Sequence, residues 1–152
     1  MNLPGGELTG VRCLLGMLGL DVHNKGIRTL AKLLRDRGAE VVYVGEHNTA
    51  AEMARAAAAE DVDVIGLSFS TTSYLEHTRG LMSELAAAGL GDVAVIVGGL
   101  IHVDDEPALR ALGVTGVFGP RTDFTDVVAF LRQVSELTPR PQRSALPAAL
   151  TH

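Results

Sequence analysis

A single cysteine, Cys13, stands in 152 residues, so no internal disulfide can form. Its place in an apolar run predicts a buried thiol in a reducing compartment, with no thiol chemistry. Positive charge is short as well. Thirteen Lys and Arg face 18 Asp and Glu, a formal net charge of −5. Nothing supplies the basic stripe that phosphate neutralisation requires, which argues against a nucleic-acid partner. No apolar run approaches the ~20 residues that span a bilayer. The amino end has no basic segment leading into an apolar one with a cleavage site. The expectation is a cytoplasmic protein without a membrane partner. Neither G-x-G-x-x-G nor a phosphate-loop lysine motif occurs, and no internal repeat is visible.

What the chain has is apolar content and glycine: 47% hydrophobic residues and 17 glycines, enough for one well-buried core. Short β-branched runs alternate with longer stretches of helical period, the βαβ pattern of a parallel sheet. Strands are expected at 12–17, 41–44, 64–67, 93–97 and 114–118, with helices at 26–37, 50–60, 74–88, 104–112 and 123–137. Gly38, Gly89 and Gly113 follow three of these helices as natural stops. Thr49 with Glu52 forms a capping-box pattern at the start of another. Beyond residue 137, Thr138-Pro139-Arg140-Pro141 cannot continue a helix. The expected organisation is a flexible segment at 1–10, one domain at 11–137 and a mobile tail at 138–152. Five β/α units in this order predict a flavodoxin-like (Rossmann-like) α/β fold: a parallel sheet of order 2-1-3-4-5 with helices on both faces.

In that fold the loops after strands 1, 3, 4 and 5 share one rim, where open α/β sheets bind ligands. The unusual residues fall there: Asp21-Val22-His23-Asn24-Lys25-Gly26, Ser68-Phe69-Ser70, Gly98-Gly99 and Gly119-Pro120. A phosphoacceptor receiver needs an aspartate after strand 3, where Ser68 stands, and a lysine after strand 5, where Gly119-Pro120 stands. A flavin site needs a hydroxyl- and glycine-rich loop after strand 1, which here holds Asp21, His23 and Lys25. His23 offers an imidazole nitrogen to a transition metal, and Asp21 can bond the other nitrogen and fix its tautomer. Gly26 lets the chain turn under a flat ligand, Gly98-Gly99 leaves a slot between strand ends, and Ser68 and Ser70 offer hydroxyls inside it. Taken singly, each has an ordinary explanation: Asp21 as a helix cap, His23 as a solvated loop residue, the serines as backbone partners, the glycines as a strand end. Gathered on one rim, they point to a large metallocycle with a buried appendage.

These residues closely resemble the cobalamin-binding domain family, whose signature reads D-x-H-x-x-G, then S-x-L, then G-G. Here 41 residues separate Gly26 from Ser68 and 27 separate Ser70 from Gly98. The resemblance covers residues 10–136. It implies that His23 replaces the cofactor's dimethylbenzimidazole as axial cobalt ligand and that Asp21 holds that histidine. Ser68, Gly98 and Gly99 then line the pocket for the displaced nucleotide tail, the base-off, histidine-on mode. Gly26, Ser70, Thr72 and Gly119 complete the expected cofactor-binding set, and no residue is assigned a catalytic role. One departure is Ser70 where the family has leucine, which makes an apolar wall of the tail pocket small and polar, beside the hydroxyl-rich Thr71-Thr72-Ser73.

Only 20 residues precede Asp21, too few for the helical bundle that corrinoid methyl carriers, methionine synthases and light-sensing regulators carry there. Gly19-Leu20-Asp21-Val22-His23, Gly45-Glu46-His47-Asn48-Thr49 and the run from Glu60 to Ser68 look like small subunits of acyl-CoA mutases, the isobutyryl-, 2-hydroxyisobutyryl- and methylmalonyl-CoA types. The resemblance implies an isomerase subunit that carries adenosylcobalamin and docks on a separate large subunit, an acyl-CoA-binding barrel. Glutamate-mutase small subunits are the nearer rival, and a non-catalytic corrinoid carrier or cobalamin-responsive interaction protein is the rival from another class. His47, His77 and His102 are expected to be surface histidines. Gly99→Leu is expected to block the tail slot and spare the fold.

Overall fold

The computed structural model describes residues 6–21 and 23–137. Five strands, β1 (Arg12–Gly16), β2 (Glu40–Tyr43), β3 (Val64–Phe69), β4 (Ala94–Gly99) and β5 (Gly116–Phe118), alternate with five helices. The helices are α1 (Lys25–Asp36), α2 (Ala50–Glu60), α3 (Tyr74–Ala87), α4 (Glu106–Ala111) and α5 (Phe124–Leu137), with a 3₁₀ turn at Val103–Asp105 before α4. All strands pair in parallel, in the order β2-β1-β3-β4-β5. The expected flavodoxin-like topology is the one observed. The expected tail at 138–152 lies outside the described residues.

Both faces of the sheet are covered, so its strands read as near-continuous apolar runs, and alternate residues feed two cores. Leu14, Ile65, Leu67, Val95 and Val97 pack with Met53, Leu81, Leu85 and Leu109 from α2, α3 and α4. Cys13, Leu15, Val64 and Ile96 pack on the other side with Ile27, Ala31 and Leu34 of α1 and Val127, Val128 and Leu131 of α5. Ile27, Ala31 and Leu34 recur at helical spacing, and burying each large one contributes roughly 1.5–3 kcal/mol. Leu8 joins this second core fully buried, and its N–H donates to Arg37 O at 2.8 Å. Leu8 lies within the segment expected to be flexible, yet it is packed into the core.

The Thr49 capping box forms in full. Its hydroxyl accepts from the Glu52 N–H at 3.1 Å, and the Glu52 carboxylate accepts from the Thr49 N–H at 2.9 Å. No helix among the described residues is long and apolar enough to cross a membrane.

Two strands run past their expected ends. β3 reaches Phe69 and β4 reaches Gly99, because Ser68 pairs with Gly98 and Phe69 with Gly99. The glycine pair is thus strand, not the loop after it.

Candidate functional site

β1 and β3 are neighbours, yet α1 leaves β1 over one face and α3 leaves β3 over the other. The two connections diverge and open a crevice at the carboxyl edge, the switch point of such a sheet. Asp21 sits in that crevice, 3% exposed. A bare carboxylate there would be costly, and the structure answers with three donors. The Ser70 N–H donates to Oδ2 at 2.6 Å, the Ser70 hydroxyl donates to Oδ1, and the His23 N–H donates to Oδ1 at 3.1 Å. Burial pushes the Asp21 pKa up. The hydrogen bonds from the Ser70 hydroxyl, the Ser70 backbone and His23 outweigh it and hold the carboxyl below its usual range.

His23 stands beside this carboxylate with Nδ1 3.4 Å from Asp21 Oδ1 and with three quarters of its side chain exposed. The acceptor at Nδ1 favours the tautomer whose Nε2 carries the lone pair. Nε2 has no partner among the described residues. No group of three or more His, Cys, Asp or Glu side chains is placed to hold a metal ion among those residues. His23 is suited to be one ligand of a metal that brings its other ligands with it.

The loop bearing these groups is braced from two sides. The Asn48 side chain donates to Met17 O at 3.1 Å and Gly45 O at 2.9 Å, and the Asn24 amide bonds the Glu46 carboxylate, which ties the loop after β1 to the loop after β2. Gly19, at φ +76°, lies against the His77 ring, and a Cβ there would fall 2.6 Å from His77 Nε2. His77 is also stacked on Phe69 at 6.4 Å and 14°. It is a half-buried packing residue, not the surface histidine expected. His47 and His102 are exposed.

A cavity of about 300 Å³ opens beside the crevice, between the sheet and the α1/α5 layer. It exists because side chains are missing. On that face Ser68, Gly98 and Phe118 lie side by side in one row across three strands, and the row beneath reads Gly66, Ile96, Gly116. Gly66, Ile96, Ser68 and Gly98 form the sheet side of the cavity. Leu30 and Leu33 of α1 and Phe124 and Val127 of α5 wall it.

The expected residues divide in the structure. Gly26, Ser68, Gly98, Gly99 and Gly119 line the cavity. Asp21 and His23 stand at the crevice beside it. Ser70, expected as a wall of the pocket, instead turns to Asp21, because the crevice carboxylate needs its hydroxyl. Thr72 is exposed on the turn after β3 and is not part of the lining. Gly99 does more than leave room. At φ +107° its Cβ position lies 2.1 Å from Phe69 O, so a larger residue there breaks the backbone and the expected fold-sparing Gly99→Leu block does not hold. Sequence reasoning missed Gly66, Phe118 and Phe124. Gly66 alone carried a signal, a glycine interrupting an apolar strand.

The chain resembles known proteins along most of its length. A family model described as the B12 binding domain matches residues 11–129. The "Pivalyl-CoA mutase small subunit" of Xanthobacter autotrophicus is 42% identical over 128 residues, 82% of this chain and 86% of that protein. The "2-hydroxyisobutanoyl-CoA mutase small subunit" of Aquincola tertiaricarbonis is 40% identical over 111 residues, 73% and 82% of the two chains. In fold, a crystal structure of a cobalamin-binding protein from Desulfitobacterium hafniense aligns with a TM-score of 0.71 at 22% identity, covering 82% of this chain and 58% of that one. The crevice, the cavity and these likenesses agree: the chain belongs to the B12-binding domain family.

Proposed function

We propose that this chain is the cobalamin-binding small subunit of an adenosylcobalamin-dependent mutase that rearranges the carbon skeleton of an acyl-CoA. It binds the cofactor base-off with His23 as the lower cobalt ligand, and it docks on a separate large subunit whose barrel holds the substrate. One observation carries the reading. An exposed imidazole, with Nδ1 3.4 Å from a buried, triply hydrogen-bonded carboxylate, stands beside a cavity lined by Gly26, Gly66, Gly98, Gly99 and Gly119.

The residues fit the cofactor. A corrin brings four nitrogen ligands of its own, so a lone histidine suffices beneath it, and a cavity of about 300 Å³ has room for a bicyclic base but not for a macrocycle. Asp21 keeps the Nδ1 proton in place and leaves Nε2 for the metal. Gly26, Ser68, Gly98, Gly99 and Gly119 would line the pocket for the nucleotide tail. Bound adenosylcobalamin supplies a carbon-centred radical by homolysis of its cobalt–carbon bond. The chain's own part is to bind, orient and shield the lower half of the cofactor. The names of the Xanthobacter and Aquincola relatives, both small subunits of acyl-CoA mutases, support the acyl-CoA class and the large-subunit partner.

The test is an ultraviolet–visible titration of the chain with adenosylcobalamin. The base-on spectrum should convert to the base-off form on binding, and His23→Ala should bind more weakly or leave the cofactor base-on. Unchanged affinity and spectrum in that variant would remove the lower-ligand assignment.

A further inference from the structure

The cavity is polar at its mouth and apolar at its inner end. Ser68, the exposed Thr29 and the Thr122-Asp123 loop supply its polar lining, while two turns down α1 from Gly26, and one turn into α5, the lining becomes Leu33 and Val127 with Ile96 and Gly66. Backbone groups there offer little, because Gly66 and Ile96 are paired within the β3–β4 ladder. Arg37 lies 5.3 Å from the Phe124 ring centroid, but it is paired with Glu7 at 2.7 Å and does not line the cavity. A base that reaches the inner end meets Leu33, Val127, Ile96 and Gly66, none of which has a hydrogen-bonding side chain.

We infer that the inner end of this cavity selects corrinoids by their lower base, accepting a carbon-edged bicycle such as dimethylbenzimidazole and rejecting an amine-bearing purine, with Leu33, Ile96 and Val127 as the specificity-determining residues. The inference rests on the reading of the site as a cobalamin site with the tail in the cavity. Dimethylbenzimidazole presents methyl groups and ring carbons at its far edge. Adenine presents ring nitrogens and an exocyclic amine, each of which gives up water on entry and gains nothing in return. Leaving one such group unsatisfied weakens binding by about tenfold, and two by about a hundredfold.

The experiment compares three probes on the intact chain by equilibrium binding: adenosylcobalamin, its adeninyl-tailed analogue and tail-less adenosylcobinamide, with the base-off spectral shift read for adenosylcobalamin. Adenosylcobalamin should bind at least about tenfold more tightly than the adeninyl form, and cobinamide should be weaker than adenosylcobalamin. Leu33→Gln and, as a nearly isosteric second variant, Val127→Thr each place a polar group at the inner end and should narrow the ratio. Their thermal midpoints report whether the fold is retained. Equal affinity for the two tailed corrinoids, or a ratio that neither folded variant narrows, overturns the selectivity and leaves the cobalamin reading standing. Cobinamide binding as tightly as cobalamin overturns the placement of the tail. Failure of all three to bind overturns the cobalamin reading itself and the inference with it.

Discussion

Gly26→Leu separates the fold from the cavity at a single position. Gly26 is the second residue of α1, has no positive φ, and lines the cavity. A Cβ built there meets no atom within 4 Å. The backbone therefore accepts a side chain, and the helix gains from it. Glycine costs a helix interior about 1 kcal/mol relative to alanine, and leucine is among the better formers, so in the first turn the change should be worth about 0.5 kcal/mol. For a domain of this size that raises the thermal midpoint by about 1–2 °C. The four added carbons enter a cavity of about 300 Å³ and displace whatever occupies its mouth. Under the proposed function, affinity for adenosylcobalamin should fall by at least about tenfold, equivalent to about 1.4 kcal/mol. The measurements are a thermal melt and a spectral titration on the same preparation. A stable variant that binds as tightly as the parent would refute the placement of the cofactor's tail. A destabilised one would refute the open space read beside α1. Gly99→Ala is the contrasting case: at φ +107°, with Phe69 O 2.1 Å from the Cβ position, it should lose roughly 3 kcal/mol of stability.

Further expectations concern buried polar groups. Ser70→Ala removes a hydroxyl donor from the buried Asp21 carboxylate and should cost about 1–3 kcal/mol at neutral pH. The pH dependence has a definite sign: because Asp21 is held below its usual range when folded, its stabilising contribution is present above about pH 4 and fades as pH falls through that range and below. Urea melts at pH 7 and pH 3 should therefore show the gap between parent and variant closing in acid, and a constant gap would contradict the clamp. Cys13 is buried in the α1/α5 core, where burial first and the charge of Asp63 second push its thiol up to about 12. It should stay unmodified by an aromatic disulfide reagent in the native protein and react once urea unfolds it, and native-state reaction at the unfolded rate would contradict that burial.

The topology was legible because its signals lie in side-chain pattern: β-branched runs, helical stretches and glycines such as Gly38, Gly89 and Gly113 that take positive φ after helices. Strand ends were less so. Gly98 and Gly99 pair with Ser68 and Phe69 through backbone alone, and a pattern of side chains carries no trace of that. The partner of Asp21 was hidden for a different reason. Ser70 lies 49 residues away, and only the divergence of α1 and α3 to opposite faces brings the two loops together. A rule that reads the S-x-L position as a wall of the pocket assigns Ser70 to the cavity, whereas the electrostatic demand of a buried carboxylate draws it to the crevice. His77 misled through its neighbour. Gly19 leaves room for an imidazole on the loop, and Phe69 gives it a face to stack on.

Crevice and cavity are adjacent but arise from separate features of the fold. The crevice follows from topology: any sequence with this strand order has diverging loops after β1 and β3, and what makes it chemically specific is the charge at Asp21, which accepts both Ser70 donors. The cavity follows from composition: a larger side chain at Gly98, which lines it, would take up part of its space. A Cβ at Gly66 would fall 2.6 Å from Leu15 Cδ2, so in β3 close packing as well as the cavity requires glycine. At Gly98 the Cβ position lies 3.2 Å from Phe118 O, a tight contact that backbone movement could relieve. Gly98 is thus a position where close packing discourages a side chain without the severe clash at Gly99, and keeping the hollow open gives glycine a second reason to stand there. Under the proposed function, the ligand's buried part lies on the α1/α5 side of the sheet, where the cavity is, and His23, at the adjoining crevice, meets the part that stays outside.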